Sequence, residues 1–150
     1  GCHLLTGGGG GVMAAVSRSF YSVDGRAGRS IGVLPGDPAR GTRGTATGYP
    51  NPWIEIPVRT HLPLSSERGR DPRSRNHLSV LSADAIVALP GGAGTRSEVE
   101  LALDYGRPLV CWLGERGRID GLVDGLAPLA RSFEELVGFL ERETGMSVPA

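Results

Sequence analysis

The chain contains no lysine; all sixteen of its basic residues are arginine. That excludes a phosphate loop of the G-x-x-x-x-G-K-[ST] type and any pyridoxal phosphate chemistry resting on a lysine Schiff base. Cysteine is almost as scarce. Cys2 and Cys111 stand far apart in sequence, which makes neither a disulfide framework nor a thiolate metal cluster. No apolar run approaches the ~20 residues of a membrane span, and no charged segment followed by an apolar core opens the chain as a signal peptide would. Net charge is absent too, since sixteen acids balance the arginines; a dedicated nucleic-acid binder is usually basic over a whole face. These absences point to a soluble, cytoplasmic protein with neither a membrane nor a nucleic acid as partner. At 150 residues the length suits a single domain, 1–150, able to bury roughly 68–70% of its unfolded surface.

What the chain does have is glycine, 24 residues of it, and an uneven charge. From Arg26 to Arg75 there are nine arginines against four acids, and elsewhere seven against twelve. The local positive surplus suggests an anionic ligand, and a solvated basic loop fits it equally.

Short apolar runs alternate with helical periodicity. His3–Thr6 reads as a strand ending in Gly7–Gly11, after which Val12, Val16, Phe20 and Val23 share one face of a helix. Ile31–Leu34 reads as a strand and Asp37–Pro52 as an aperiodic loop. Ile54–Val58 reads as a strand held to an edge or an end by Pro57. Leu64–Pro72 is a second polar loop and Arg73–Ser82 a short helix. Asp84–Leu89 has the near-continuous apolarity of a strand buried in a parallel sheet. Gly91–Gly94 then leads a helix with Val99, Ala102 and Leu103 on one face, Gly106 at its C′ position and Pro108 beyond. Pro108–Leu113 and Leu126–Ala130 are two further strands. The closing helix carries Phe133, Leu136, Val137 and Leu140, with Ser132 and Glu135 as a capping box. Strands alternating with helices predict an α/β protein with a Rossmann-like, doubly wound parallel sheet.

Both glycine runs sit between an apolar strand and an amphipathic helix. At such a turn backbone N–H groups face outward at the positive end of the helix dipole, and glycine lets a phosphate approach the main chain. A merely flexible turn is the bland alternative for each. Neither run has the G-x-G-x-x-G spacing, and no acidic residue closes the Ile31–Leu34 strand as a ribose partner. Glu98 follows Thr95 by three, so it fits a T-x-x-E capping box and equally a carboxylate that touches ribose or positions a water. Arg75 is a candidate anion or base contact, or one more solvated arginine. Cys111 reads as a small buried hydrophobe. His3, His61 and His77 lack metal-ligand spacing, and Ser97 lacks the setting of a nucleophile elbow, so no metal site is expected.

Three segments together resemble a known superfamily. They are Leu4-Leu5-Thr6-Gly7-Gly8-Gly9-Gly10-Gly11-Val12-Met13, then Gly32-Val33-Leu34-Pro35, then Pro90-Gly91-Gly92-Ala93-Gly94-Thr95-Arg96-Ser97-Glu98. They look like the GGG-x-x-G-x-M-like turn and the PGG-x-GT-x-x-E motif of the LONELY GUY (LOG) and molybdenum cofactor carrier superfamily. The resemblance covers residues 3 to 113 and implies two alternatives. One is a phosphoribohydrolase that splits a nucleoside 5′-monophosphate into free base and ribose 5-phosphate, with Glu98 and Arg75 catalytic and no cofactor required. The other is a carrier that holds the pterin phosphate of the molybdenum cofactor without turning it over. Either way the resemblance implies that Gly8, Gly9, Gly10 and Met13, with Pro90, Gly91, Gly92, Ala93, Gly94 and Thr95, contact the phosphorylated ligand. It also implies a homo-oligomer, dimer or tetramer. The chain departs from the hydrolase pattern at Asn76, where lysine is expected, and at Ser97, where a second glutamate is. Ile54–Thr60, Ser74-Arg75-Asn76 and Ser82–Ala85 look closer to the carrier branch. The family's usual first strand has no counterpart here.

Overall fold

The computed structural model describes residues 1–41, 44–115 and 117–147; Thr42 and Arg43 of the long 37–52 loop lie outside them. The chain forms two compact units, Gly1–Ser79 and Val80–Ala150. It is a mixed α/β protein of Rossmann-like fold in which, among the described residues, the five strands pair in parallel.

In the first unit β1 (Leu4–Thr6), α1 (Val12–Tyr21), β2 (Ser30–Leu34) and β3 (Ile56–Arg59) follow in order. The sheet runs β1-β2-β3, with Leu5 opposite Ile31 and Gly32 opposite Pro57. The central strand is the buried one: Val33 and Leu34 are 3% and 0% exposed. Gly32 belongs here because a Cβ would come within 3.0 Å of Ile54. Pro57, which has no N–H to donate, sits on a strand paired only with β2, as an edge position requires. This strand starts two residues later than expected because Ile54 is drawn into a turn by its N–H to the Asn51 carbonyl. On α1 the periodicity misassigns the face. Val12 and Val23 are exposed and Val23 lies beyond the helix, while Ser17 is buried.

The long loop is folded back on itself. It makes a 3₁₀ turn at Pro38–Arg40, Gly36 bridges to Thr45, and the Ala46 N–H returns to the Pro35 carbonyl. The second polar loop carries another 3₁₀ turn, Ser66–Arg68. Its end is held by a bridge between Leu64 and Ser74 just ahead of α2 (Asn76–Ser82), which runs across the boundary of the two units.

In the second unit β4 (Ile86–Ala88) pairs with β5 (Leu109–Cys111). Side chains alternate across a strand, so Leu109 and Cys111 face one way and Val110 the other. Leu109 and Cys111 pack with Ala88 and with Val99, Leu101 and Ala102 of α3 (Ala93–Asp104). Val110 packs with Ala130 and with Leu136 and Phe139 of α4 (Phe133–Thr144). Helices on both faces make this unit doubly wound. Cys111 is buried, its thiol pushed up by desolvation. Leu101 rather than Leu103 is the buried leucine of α3, and Phe139 rather than Phe133 the buried aromatic of α4. The expected strand at Leu126–Ala130 reduces to one bridge, Cys111 to Leu129. Among the described residues no helix is long and apolar enough to cross a membrane.

Candidate functional site

In the first glycine turn Gly7, Gly8 and Gly9 are buried, whereas Gly10 and Gly11 are exposed. Gly8 and Gly11 have φ values of 72° and 61°, the left-handed region that glycine enters without a Cβ penalty. The Gly8 N–H donates to Thr6 Oγ1 at 3.1 Å, tying the turn to the end of β1. A Cβ on Gly9 would meet Met13 Cε at 2.8 Å and the Tyr49 ring at 2.9 Å, while one on Gly10 would meet nothing within 4 Å. The turn is therefore packed from below and open at Gly10.

Arg75 belongs to this turn. Its guanidinium lies against the Gly7 α-carbon, in the place that a Cβ would take. The residue is 4% exposed, and Nη1 donates to Ser79 Oγ at 3.3 Å. The chain delivers it there from the bridged Leu64–Ser74 segment, with the Arg75 N–H on the Leu64 carbonyl. Asn51, which sequence reasoning missed, is buried on the same turn and bonds the carbonyls of Gly8 and Gly9. Its only signal in the sequence was a turn-like Tyr-Pro-Asn-Pro run.

The other arginines of the basic stretch are mostly spent on neighbours. Arg26 and Arg29 both pair with Glu55, at 2.8 and 2.9 Å. Arg68 and Arg73 pair with Asp71, and Arg40 with Asp37. The Ser30 N–H first, then the Arg26 guanidinium, hold the Glu55 carboxyl down at about 2. Arg73, through its side chain and then its N–H, holds Asp71 at about 2. Five arginines of the stretch thus pair with Glu55, Asp71 and Asp37, and Arg75 is buried at a glycine turn.

The second turn follows β4. Gly91 is fixed through both backbone groups, its N–H on the Arg118 carbonyl at 3.1 Å and its carbonyl on the Asp120 N–H at 2.9 Å. A Cβ there would collide with the Thr95 side chain. The helix begins at Ala93 with Gly92 as N-cap, three residues earlier than a T-x-x-E box capped by Thr95 would have it. Thr95 is therefore the third helical residue, and Glu98 lies beyond the first turn, so the capping box does not form. Ser97 is buried and donates to the Gly94 carbonyl at 2.8 Å.

The helix starts differ in a consistent way. In α4 the Ser132 Oγ accepts from the Glu135 N–H, and Glu134 and Glu135 occupy the first turn. At α1 and α3 the N-caps are Gly11 and Gly92, with no side-chain cap bond and no acidic residue in the first turn. Those two helix starts have neither a side-chain cap nor a first-turn carboxylate at their positive ends. Gly8, Gly9, Gly10, Met13 and Arg75 come together in the first unit, and Pro90 to Thr95 with Glu98 lie on the second turn and its helix. Among the described residues no group of three or more His, Cys, Asp or Glu could hold a metal ion.

Residues 1–128 match the model of the SLOG (SMF/DprA-LOG) cluster4 family. No curated protein matches the sequence. A solved structure that resembles the chain is the X-ray structure of TM1055, a Northeast Structural Genomics Consortium target. It is 24% identical, with a TM-score of 0.65 over 92% of this chain and 76% of that one.

Proposed function

This chain belongs to the SLOG cluster4 family, and from that premise we propose that it binds a nucleoside 5′-monophosphate and hydrolyses its N-glycosidic bond. The observation that carries the reading is the pair of uncapped glycine-led helix starts, set against the self-capped α4. Backbone N–H groups and a helix dipole there hold a phosphate without lysine.

Water adds to C1′ of the ribose, the bond to the base breaks, and free base and ribose 5-phosphate leave. Glu98 stabilises the oxocarbenium-like ribose or orients the water. Arg75 supplies a buried positive charge at the first turn to clamp the substrate. The candidate ligand contacts are Gly8, Gly9, Gly10 and Met13 in the first unit and, in the second, the Pro90–Thr95 turn. The working form is a homo-oligomer in the cytoplasm and needs no added cofactor.

Incubation with a panel of nucleoside 5′-monophosphates, followed chromatographically, tests this. Base release should fall below detection in Glu98→Ala while nucleotide binding stays measurable; unchanged turnover in that variant sinks the assignment.

The carrier reading is favoured by one observation. Asn76, where the hydrolase pattern has lysine, is only 1% exposed and has its N–H capped by Ser74 Oγ at 3.1 Å. A folded sample that binds nucleotides without cleaving them, and that co-purifies with a fluorescent, oxidisable pterin, identifies a carrier of the molybdenum cofactor.

A further inference from the structure

Asn51 sits 42 positions from the carbonyl its side chain bonds and is 6% exposed. Its main-chain N–H donates to the Gly8 carbonyl at 2.7 Å, and Nδ2 donates to the Gly9 carbonyl at 2.9 Å. Its Oδ1 accepts the Trp53 N–H at 3.1 Å, which fixes the side-chain rotamer. One residue thus holds two successive carbonyls of a run of five glycines.

The consequence is geometric. Both peptides are trans, and in a trans peptide the C=O and N–H point in opposite directions. Holding the Gly8 carbonyl turns the Gly9 N–H away from Asn51, and holding the Gly9 carbonyl does the same for Gly10. Among the described residues neither N–H meets an acceptor. Gly10 is exposed, and space is open around its α-carbon. The buried Arg75 guanidinium adds positive charge at Gly7 of the same turn.

We propose that Asn51 is a positioning residue which preorganises the Gly9 and Gly10 N–H groups as an anion cradle for the ligand's phosphoryl group. The inference rests on the phosphate-binding reading above. A five-glycine run has many backbone states to lose, and an anion that had to order it would bind correspondingly more weakly. Only a side chain with a donor and an acceptor on one carbon can serve Gly9 and Trp53 together; leucine would leave both unpaired, and aspartate would set oxygen against oxygen.

The test uses ¹⁵N-labelled full chain titrated with inorganic phosphate, adenosine and adenosine 5′-monophosphate, comparing wild type with Asn51→Ala and Asn51→Ser. The serine can still accept from the Trp53 N–H in a local turn, so it reports even where alanine unfolds. In the wild type the Gly9 and Gly10 amide resonances should shift with phosphate. In the variants, affinity for phosphate and for the monophosphate should fall about tenfold, with adenosine binding within about twofold of wild type. Equal losses for adenosine and its monophosphate would assign Asn51 a merely structural role and overturn the proposal. Wild-type phosphate affinity in the variants, with both amides still responding, would overturn it while leaving the phosphate turn standing. Silent Gly9 and Gly10 amides in the wild type would overturn both.

Discussion

Gly7 and Gly10 stand three residues apart in one turn and make opposite demands. A Cβ at Gly7 runs into the Arg75 guanidinium, and one at Gly10 meets nothing within 4 Å. The obstructing group is the far end of a flexible side chain, so Gly7→Ala is expected to displace Arg75 at little cost in stability. Nucleotide affinity should drop about tenfold by calorimetric titration, with the melting midpoint within about 4 °C of wild type. Gly138→Ala, on α4, should leave affinity within about twofold of wild type. Equal affinities for the two variants would show that Arg75 is no part of the binding turn. At this scale the glycines were legible because strand, glycine run and amphipathic helix follow in order. Arg75 was legible only through the resemblance to a family. Asn51 was not legible, because its partners are set by where a distant loop returns.

Helix starts are the informative elements. Ser132 caps α4 from its own sequence, and the Glu135 carboxylate accepts from the Arg131 N–H at 2.7 Å. Removing that hydroxyl in Ser132→Ala should cost about 1 kcal/mol, a fall in melting midpoint of about 2–4 °C, with nucleotide binding unchanged. A binding defect in this variant would tie α4 to the ligand, against its self-contained cap. The other end of α3 was equally readable. Gly106, at φ 60°, gives its N–H to Leu103, and Arg107 gives its own to Ala102, the paired bonds of a Schellman ending. The start of α3 excludes one of the two readings of Glu98. Thr95-x-x-Glu98 has the letters of a capping box, but Thr95 packs against the bare α-carbon of Gly91, and extended Gly92 starts the helix instead. The same [ST]-x-x-E pattern gives a cap in α4 and a helical interior in α3, where Gly92 has already started the helix.

Over the whole molecule, two acidic hubs predict the response to acid. Glu55 gathers Arg26, Arg29 and the Ser30 N–H between the starts of β2 and β3, and Asp71 gathers Arg68 and Arg73. Both carboxyls have folded pKa values of about 2, lowered from 4.5 and 3.8. Folding therefore favours their ionised forms. That contribution is complete above pH 4.5 and is lost as the pH falls from there through 2. Melting midpoints recorded from pH 5 to pH 2 should decline, and Glu55→Gln should flatten the decline. A slope unaltered by the substitution would mean that the Glu55 hub contributes nothing to stability.

What the sequence determined by itself is local or periodic. Lysine's absence ruled out whole chemistries. Short apolar runs located β1, β2, β4 and β5, and helical periodicity located α1, α3 and α4. Glycine after a strand marked the two turns, and Ser132 with Glu135 marked a cap. Tertiary structure decided which face of α1, α3 and α4 is buried, since that depends on what each packs against. It also decided that five arginines of the basic stretch pair with Glu55, Asp71 and Asp37, and that Arg75 reaches Gly7 and Asn51 reaches Gly8 and Gly9. Those contacts join residues far apart in the chain, and pairing at that distance leaves no period or spacing in the sequence to read.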